Sequence, residues 1–218
     1  MRVLTWNLFH GRAVPPAHRD LCEEFAAALA RWDWDVALLQ EVPPWWPPLL
    51  GADAWATALT SRNACLPLRK AIAQRWPDLI KSGGGSANAV LVRGDEIVAQ
   101  GRRRLRLWPE RRVAQAVLLG SGTWVGNLHA QVHSDARARA DFGLAARWLL
   151  ERAGDGPPVV LGGDFNVREP TVAGMVHAGG RNVDHVFARG LEPAGHASPP
   201  RHGLSDHDPV IVTLRDSG

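Results

Sequence analysis

PVVLGGDFN, residues 158–166, decides how this chain is read. Val159, Val160 and Leu161 form a short apolar run that suits a strand buried on both faces. The run ends in two glycines and then in Asp164 and Asn166, so a core strand delivers two polar groups to its tip. The same design recurs along the chain. Asn7 ends RVLTWN; Glu41 follows DVALLQ; His129 ends TWVGNLH; Asp184 and His185 lie within NVDHVFA; Asp206 and His207 precede DPVIVTL. One polar residue at a strand end is usually a turn. Six coincidences point to a common edge where each strand contributes one group, as α/β folds build their sites.

The remaining pattern supports an α/β class. In residues 2–8, Val3, Thr5 and Asn7 alternate with Leu4, Trp6 and Leu8, as in a strand. Leu21, Phe25, Leu29 and Trp32 recur at helical spacing, and Ala138, Phe142, Ala145 and Leu149 mark a second helix from about Ser134, its expected N-cap, to Arg152. A shorter helix is expected around 67–76. Strands are expected at 2–8, 35–40, 87–93, 113–119, 123–129, 158–164, 182–188 and 208–214. Hairpin-like neighbours mixed with strand–helix–strand units predict mixed sheets. No repeat, low-complexity tract or linker divides the chain, so residues 1–218 are expected to form one domain. PPWWPP (43–48) and SGGGS (82–86) read as loops within it.

Composition narrows the class. Hydrophobic residues are 45% and charged residues 22% of 218, which excludes a disordered chain. No apolar run approaches the roughly 18 residues of a membrane span, and no leader-like segment precedes MRVLTWN; a cytoplasmic location is the expectation. Cys22 and Cys65 make no disulfide or zinc framework and read as buried thiols. The net charge is only +3, but Arg102, Arg103, Arg104, Arg106, Arg111 and Arg112 crowd one segment. That segment reads either as a solvated strand face or as a surface for phosphates. Trp45 and Trp46 have two readings also, core packing or stacking on a ligand at a site rim.

The polar set has a chemistry. Carboxylates and amide oxygens are hard ligands, suited to Mg²⁺ or Mn²⁺. Hydrolysis of a phosphodiester needs an oriented water and groups that bear the charge of the pentacovalent phosphate. A His–Asp pair can supply one of them.

TWN, LLQEV, NLH, GDFN and SDHDPV, in this order from Thr5 to Val210, resemble the endonuclease/exonuclease/phosphatase superfamily, the deoxyribonuclease-I-like enzymes among them. The resemblance implies a four-layer α-β-β-α sandwich of two packed mixed sheets. It also implies residue roles. Glu41 resembles the metal-binding glutamate, Asn7 the asparagine close to the metal, and Asp206 a residue beside it. Asp164 and Asn166 resemble the pair that positions the attacking water and contacts the phosphate. His207 resembles the phosphate-contacting histidine, Asp184 its carboxylate partner, and His129 the first histidine of the deoxyribonuclease and sphingomyelinase branches. The chain departs from the pattern in SANAVLVR (86–93), which has no acid to orient His129; Asn88 is the polar residue there. His133, His185 and His202 match no role.

The expected function is Mg²⁺- or Mn²⁺-dependent phosphodiester hydrolysis on nucleic acid, DNA favoured, with Arg111, Arg112 and Asn88 as substrate contacts and a monomer favoured. Two rivals are a phosphatase or phospholipid phosphodiesterase with the same site, and a binding module that has lost catalysis. The rivals differ by substrate tests and by whether the metal and GDFN residues are present; here they all are.

Overall fold

The computed structural model describes residues 1–60, 67–80 and 86–216. Cys65 and most of the SGGGS loop lie outside them. Twelve strands among the described residues form two six-stranded sheets. Sheet one contains β1 Arg2–Asn7, β2 Val36–Val42, β3 Ala54–Leu59, β4 Ala87–Val92, β11 Leu191–Ala197 and β12 Val210–Asp216, in the order β11-β12-β1-β2-β4-β3. Sheet two contains β5 Ile97–Arg106, β6 Arg112–Leu119, β7 Trp124–His129, β8 Val159–Asp164, β9 Val176–Arg181 and β10 Asp184–Arg189, in the order β5-β6-β7-β8-β10-β9.

Each sheet contains one parallel pair joined through a helix. β1 pairs with β2 across α1 (Cys22–Arg31), and β7 pairs with β8 across α4 (Asp135–Ala153). Parallel neighbours need such a crossover. Two short helices, α2 (Pro67–Arg75) and α3 (Pro77–Ile80), follow β3.

Alternation along the strands explains the layers. On β1, Val3 faces the second sheet and joins Val36, Leu38, Val90, Val117, Val125 and Val160 in the core between sheets. Leu4, Trp6 and Leu8 face outward onto Phe25 and Leu29 of α1. On the far side, Phe142, Ala145 and Leu149 of α4 pack on Leu128, Leu161 and Phe165. The result is a four-layer α-β-β-α sandwich. A fully buried Leu, Val or Phe contributes about 1.5–3 kcal/mol, so the three clusters together are the main stabilising term.

Two local expectations are refined. Ser134 does occupy the N-cap of α4, yet its side chain makes no capping bond; its backbone oxygen accepts from Ala138. Trp46 packs in the core against Phe25, with ring centroids 5.3 Å apart, and the half-buried Trp45 leans on the same cluster. The core reading of that tryptophan pair is the one seen.

The sheets are also tied by buried amides. Asn127 on β7 donates to the Leu39 and Ala89 carbonyls of sheet one, and Gln40 donates back to Asn127 Oδ1, each at 2.9 Å. These bonds fix how the ends of β2 and β7 meet, and the polar groups of interest lie just beyond them.

Candidate active site

Five inner strands bring polar residues to one end of the sandwich. In sheet two, His129 of β7 lies beside Asp164 of β8, which lies beside Asp184 of β10. In sheet one, Asn7 ends β1 and Glu41 lies near the end of β2. Glu41 does not follow simple alternation, because the β2–β4 ladder slips between Leu39 and Val42. A bulge of this kind re-aims a side chain. Glu41 itself has φ 51°, and His10, Asn166 and Ser205 near the same edge are also left-handed, at 57°, 51° and 60°. Such conformations cost non-glycine residues on the order of 1 kcal/mol or more each, and they persist where packing holds them.

Asp164 is the centre. It is 1% exposed. Oδ2 accepts from Asn7 Nδ2 at 3.1 Å, and Oδ1 accepts from the Asn166 backbone N–H at 2.9 Å. His129 Nε2 lies 3.4 Å and His207 Nε2 3.9 Å from Oδ2. Burial pushes this carboxyl up, against the His207 charge and the two hydrogen bonds. Asn166 is tethered through its side chain, which donates to the Ala130 carbonyl at 3.0 Å.

His207 is held by Asp184 through Nδ1, at 2.7 Å. Burial alone would lower the imidazole; the bond to Asp184 and the charges of Asp184, Asp164 and Asp206 overcome it and push His207 up to about 9. Burial raises the Asp184 carboxyl, and its bond to His207 opposes that rise. The other Asp184 oxygen is buried without a partner. The His207 loop is anchored by Ser205, whose hydroxyl donates to the Asn7 carbonyl and accepts from the His207 N–H.

Glu41 stands opposite, between two imidazoles. His10 Nε2 is 3.0 Å and His129 Nδ1 3.9 Å from its oxygens. Burial and the Asp164 charge push Glu41 up to about 7, against Arg112 and His207. Burial, then Arg12 and Arg112, pull His10 down to about 3; burial, then Arg112, His207 and His10, hold His129 well below its usual range. Both are neutral at pH 7. The partner of His129 thus comes from β2 and β8, not from the 86–93 strand.

The donor set fits a hard divalent cation. Carboxylates Glu41, Asp164 and Asp184 converge with exposed Asp206, and burial or mutual repulsion raises the first three. A cation would relieve that repulsion. Asp164, Asp184 and His207 offer donor atoms within 4.8 Å of one another. Asp184 and His207 already bond each other, and one Glu41 oxygen lies 3.0 Å from His10 Nε2, so a cation would share these groups with their protein partners. Both atoms of the Asn7 amide are used inside the protein, Nδ2 on Asp164 and Oδ1 on the Phe9 N–H.

The expected substrate contacts divide. Arg112 is buried, pairs with Glu110, and its charge reaches His10, His129, Glu41 and Asp164. Arg111 is partly buried, with Nε lacking a protein partner. Asn88 is 1% exposed and donates to the Val113 carbonyl, so it ties the sheets together next to Arg112, while its amide oxygen is buried without a partner. The arginine segment is not one surface either. Arg106 is bound to Asp141 of α4, while Arg102, Arg103 and Arg104 are exposed on β5.

His10 is a site residue that the sequence does not announce, because it follows the TWN strand in a turn with no periodicity. The signal available is only a histidine three residues beyond Asn7. Of the unmatched histidines, His185 bonds His177 and the Val167 carbonyl, and so is structural.

The Endonuclease/Exonuclease/phosphatase family model matches residues 4–207. This chain belongs to that family. Solved structures share the fold: an endonuclease/exonuclease/phosphatase from Beutenbergia cavernae (22% identity, 100% of this chain and 72% of that one, TM-score 0.73), the mannosyl-6-phosphatase Bt3783 of Bacteroides thetaiotaomicron (16%, 98% and 99%, 0.73) and a humanized TDP2 from D. rerio (14%, 99% and 98%, 0.72). No curated protein sequence matches. Family members are hydrolases of phosphoester bonds that generally use divalent metals. No helix among the described residues is long and apolar enough to cross a membrane.

Proposed function

We propose that the protein is a divalent-metal-dependent phosphodiester hydrolase acting on nucleic acid, DNA favoured. The observation that carries this reading is Asp164, held by Asn7 and Asn166 on a buried sheet edge and flanked by His129 and His207. Glu41, with Asp206 nearby, would hold Mg²⁺ or Mn²⁺. A bound ion there supplies Lewis-acid polarisation of a phosphate oxygen.

The other residues divide the remaining work. Asp164 orients the attacking water and takes its proton; as the new P–O bond forms, the bond to the leaving oxygen breaks, and that oxygen departs as an alkoxide that takes a proton from solvent. Asn7 and Asn166 fix the carboxylate in the orientation this requires. His207, kept protonated by Asp184, donates to the phosphoryl oxygen as negative charge develops there. His129, neutral and wedged between Asp164 and Glu41, lies where it can contact the same phosphate. Arg112 adds positive potential from one side, and Arg111 with the exposed arginines of β5 supplies contacts for flanking phosphates.

The test is Mg²⁺-dependent nicking of supercoiled plasmid, with EDTA and Asp164→Asn as controls. Nicking by the wild type that falls about a thousandfold or more in Asp164→Asn and disappears with EDTA is the expected result. Likeness to a protein named mannosyl-6-phosphatase favours a second reading, a phosphomonoesterase with the same groups. Phosphate release from mannose 6-phosphate without nicking of DNA selects it.

A further inference from the structure

The turn that joins β5 to β6 stands beside the site edge. Arg106 of β5 lies opposite Arg112 of β6, and Arg112 is the cation whose charge reaches Glu41, Asp164 and His129. Beyond that pair the chain turns through Leu107, Trp108, Pro109 and Glu110. Trp108 is 79% exposed and Leu107 54%. Glu110 bonds Arg112 and lies 3.9 Å from His133, so the hairpin is joined to the loop that leaves β7 after His129. Val132 of that loop is 54% exposed. One wall of the site rim is therefore built of an indole, two aliphatic side chains and Arg111, with Arg102 and Arg104 continuing along one face of β5 and Arg103 on the other.

An indole this exposed gains nothing from folding, and its neighbours could have covered it. Its chemistry specifies what does. A large flat π-face asks for a planar ring, and arginines on the same wall ask for negative charge at short intervals. A nucleotide chain with accessible bases carries both. In a duplex the base faces are stacked on one another and closed to an indole, so the partner must present an unpaired base.

We propose that the Leu107–Glu110 hairpin is a stacking platform on which Trp108 receives an unpaired base of single-stranded nucleic acid, beside the phosphate that His207 and His129 contact. This rests on the nucleic-acid reading above and adds a preference for single strands, frayed ends or flaps over intact duplex.

The experiment measures binding in the cleavage-deficient Asp164→Asn protein by fluorescence anisotropy with a labelled 12-mer, single-stranded and duplex, in Mg²⁺. Trp108→Ala and Trp108→Phe are introduced on that background, and their melting temperatures are compared with the parent. Trp108 lies outside the core, so both variants keep the parent's melting temperature. Single-strand affinity falls about ten- to hundredfold in Trp108→Ala and is mostly retained in Trp108→Phe, while duplex affinity changes less than about threefold. Unchanged single-strand binding in Trp108→Ala, with the wild type still cutting DNA, overturns the platform and leaves the nuclease intact. A wild type that hydrolyses bis(p-nitrophenyl) phosphate but neither binds nor cuts DNA overturns the nucleic-acid reading and the platform with it. Vesicles of anionic phospholipid are the third arm. Vesicle binding that depends on Trp108, with DNA binding unaffected by the substitution, would assign the wall to a membrane surface and overturn the platform.

Discussion

Inner and marginal strands of the two sheets do different work. Strands β1, β2, β4, β6, β7, β8, β10 and β12 are enclosed by neighbours on both sides, and most of their residues are buried. Strands β3, β11, β5 and β9 are the four margins, and they alternate buried with exposed or are largely exposed. Asn7, Glu41, His129, Asp164 and Asp184 all ride on inner strands; no proposed catalytic group lies on a margin. Position within a sheet accounts for this. A strand hydrogen-bonded on both edges and packed on both faces can hold a side chain within the tolerance chemistry needs, whereas a marginal strand has one free edge and moves more. The margins instead carry features that blunt edge-to-edge association: charge on β5, and Pro193 with a register slip on β11.

Several substitutions would break or sharpen this contrast. The largest effect is expected from a matched glycine pair. Gly163 on β8 has φ 143°, and an added Cβ would meet the Leu128 backbone oxygen at 2.0 Å. Gly195 on marginal β11 has φ 128° with nothing within 4 Å. Gly163→Ala should destabilise by about 4 kcal/mol or more, Gly195→Ala by only about 1–2 kcal/mol. Chemical denaturation measures both, and equal losses would dissolve the distinction.

Next in size is Asp184→Asn. It removes the carboxylate that keeps His207 up at about 9. A hydrolysis that needs the protonated imidazole persists to high pH in the wild type and fails as pH rises through that value. In the variant the His207 value drops, so the alkaline limb should shift to lower pH and the rate at pH 7–8 fall about a hundredfold. A pH–rate profile decides, and an unmoved alkaline limb would remove His207 from the acid role.

A smaller effect is expected at His10, which lies beside β2 rather than on it. His10→Ala removes the imidazole 3.0 Å from Glu41, and Mn²⁺ affinity measured calorimetrically should weaken about tenfold. Unchanged affinity would leave His10 as packing alone. Smallest of all is the margin itself. Arg102→Ala with Arg104→Ala should change stability by less than about 0.5 kcal/mol. The slope of log affinity for DNA against log salt should nevertheless fall by up to about one for each phosphate these arginines hold. An unaltered salt slope would reduce them to solvated strand face.

The same contrast governs what can be read from the sequence. VALLQ and VVLGG announce themselves because strands buried on both faces are continuous apolar runs, VIVTL because its buried positions alternate with half-buried ones, and each of the eight inner strands lies near its expected position. AWATAL, VHAGGR and LEPAGHA carry no such expectation, and IVAQGRRRLR is legible only through its arginines as a solvated strand face; these are the four margins. Half-exposed strands mix alanine, glycine, arginine and proline, so the apolar signal falls to the level of a loop. Within the site, Asp164, Asp184 and His207 are legible as polar tips of apolar strands. His10 is not, since it sits in an irregular turn, and neither is the tether from Asn88 to Val113, since a long-range hydrogen bond leaves no local pattern.

The sequence by itself determined the class of the fold, the inner strands, the two principal helices and the set of polar groups offered at strand tips, because burial imposes periodicities of 2 and 3.6 that are written residue by residue. Only the tertiary structure decided which groups meet. It set Glu41 between His10 and His129 through a bulge, gave His129 its carboxylates from β2 and β8, turned the paired Arg106 and Arg112 to different partners, Asp141 and Glu110, and left Trp108 exposed in the β5–β6 turn. These outcomes depend on register, strand order and the packing of one sheet on the other, which arise between residues far apart in the chain and so have no local signature.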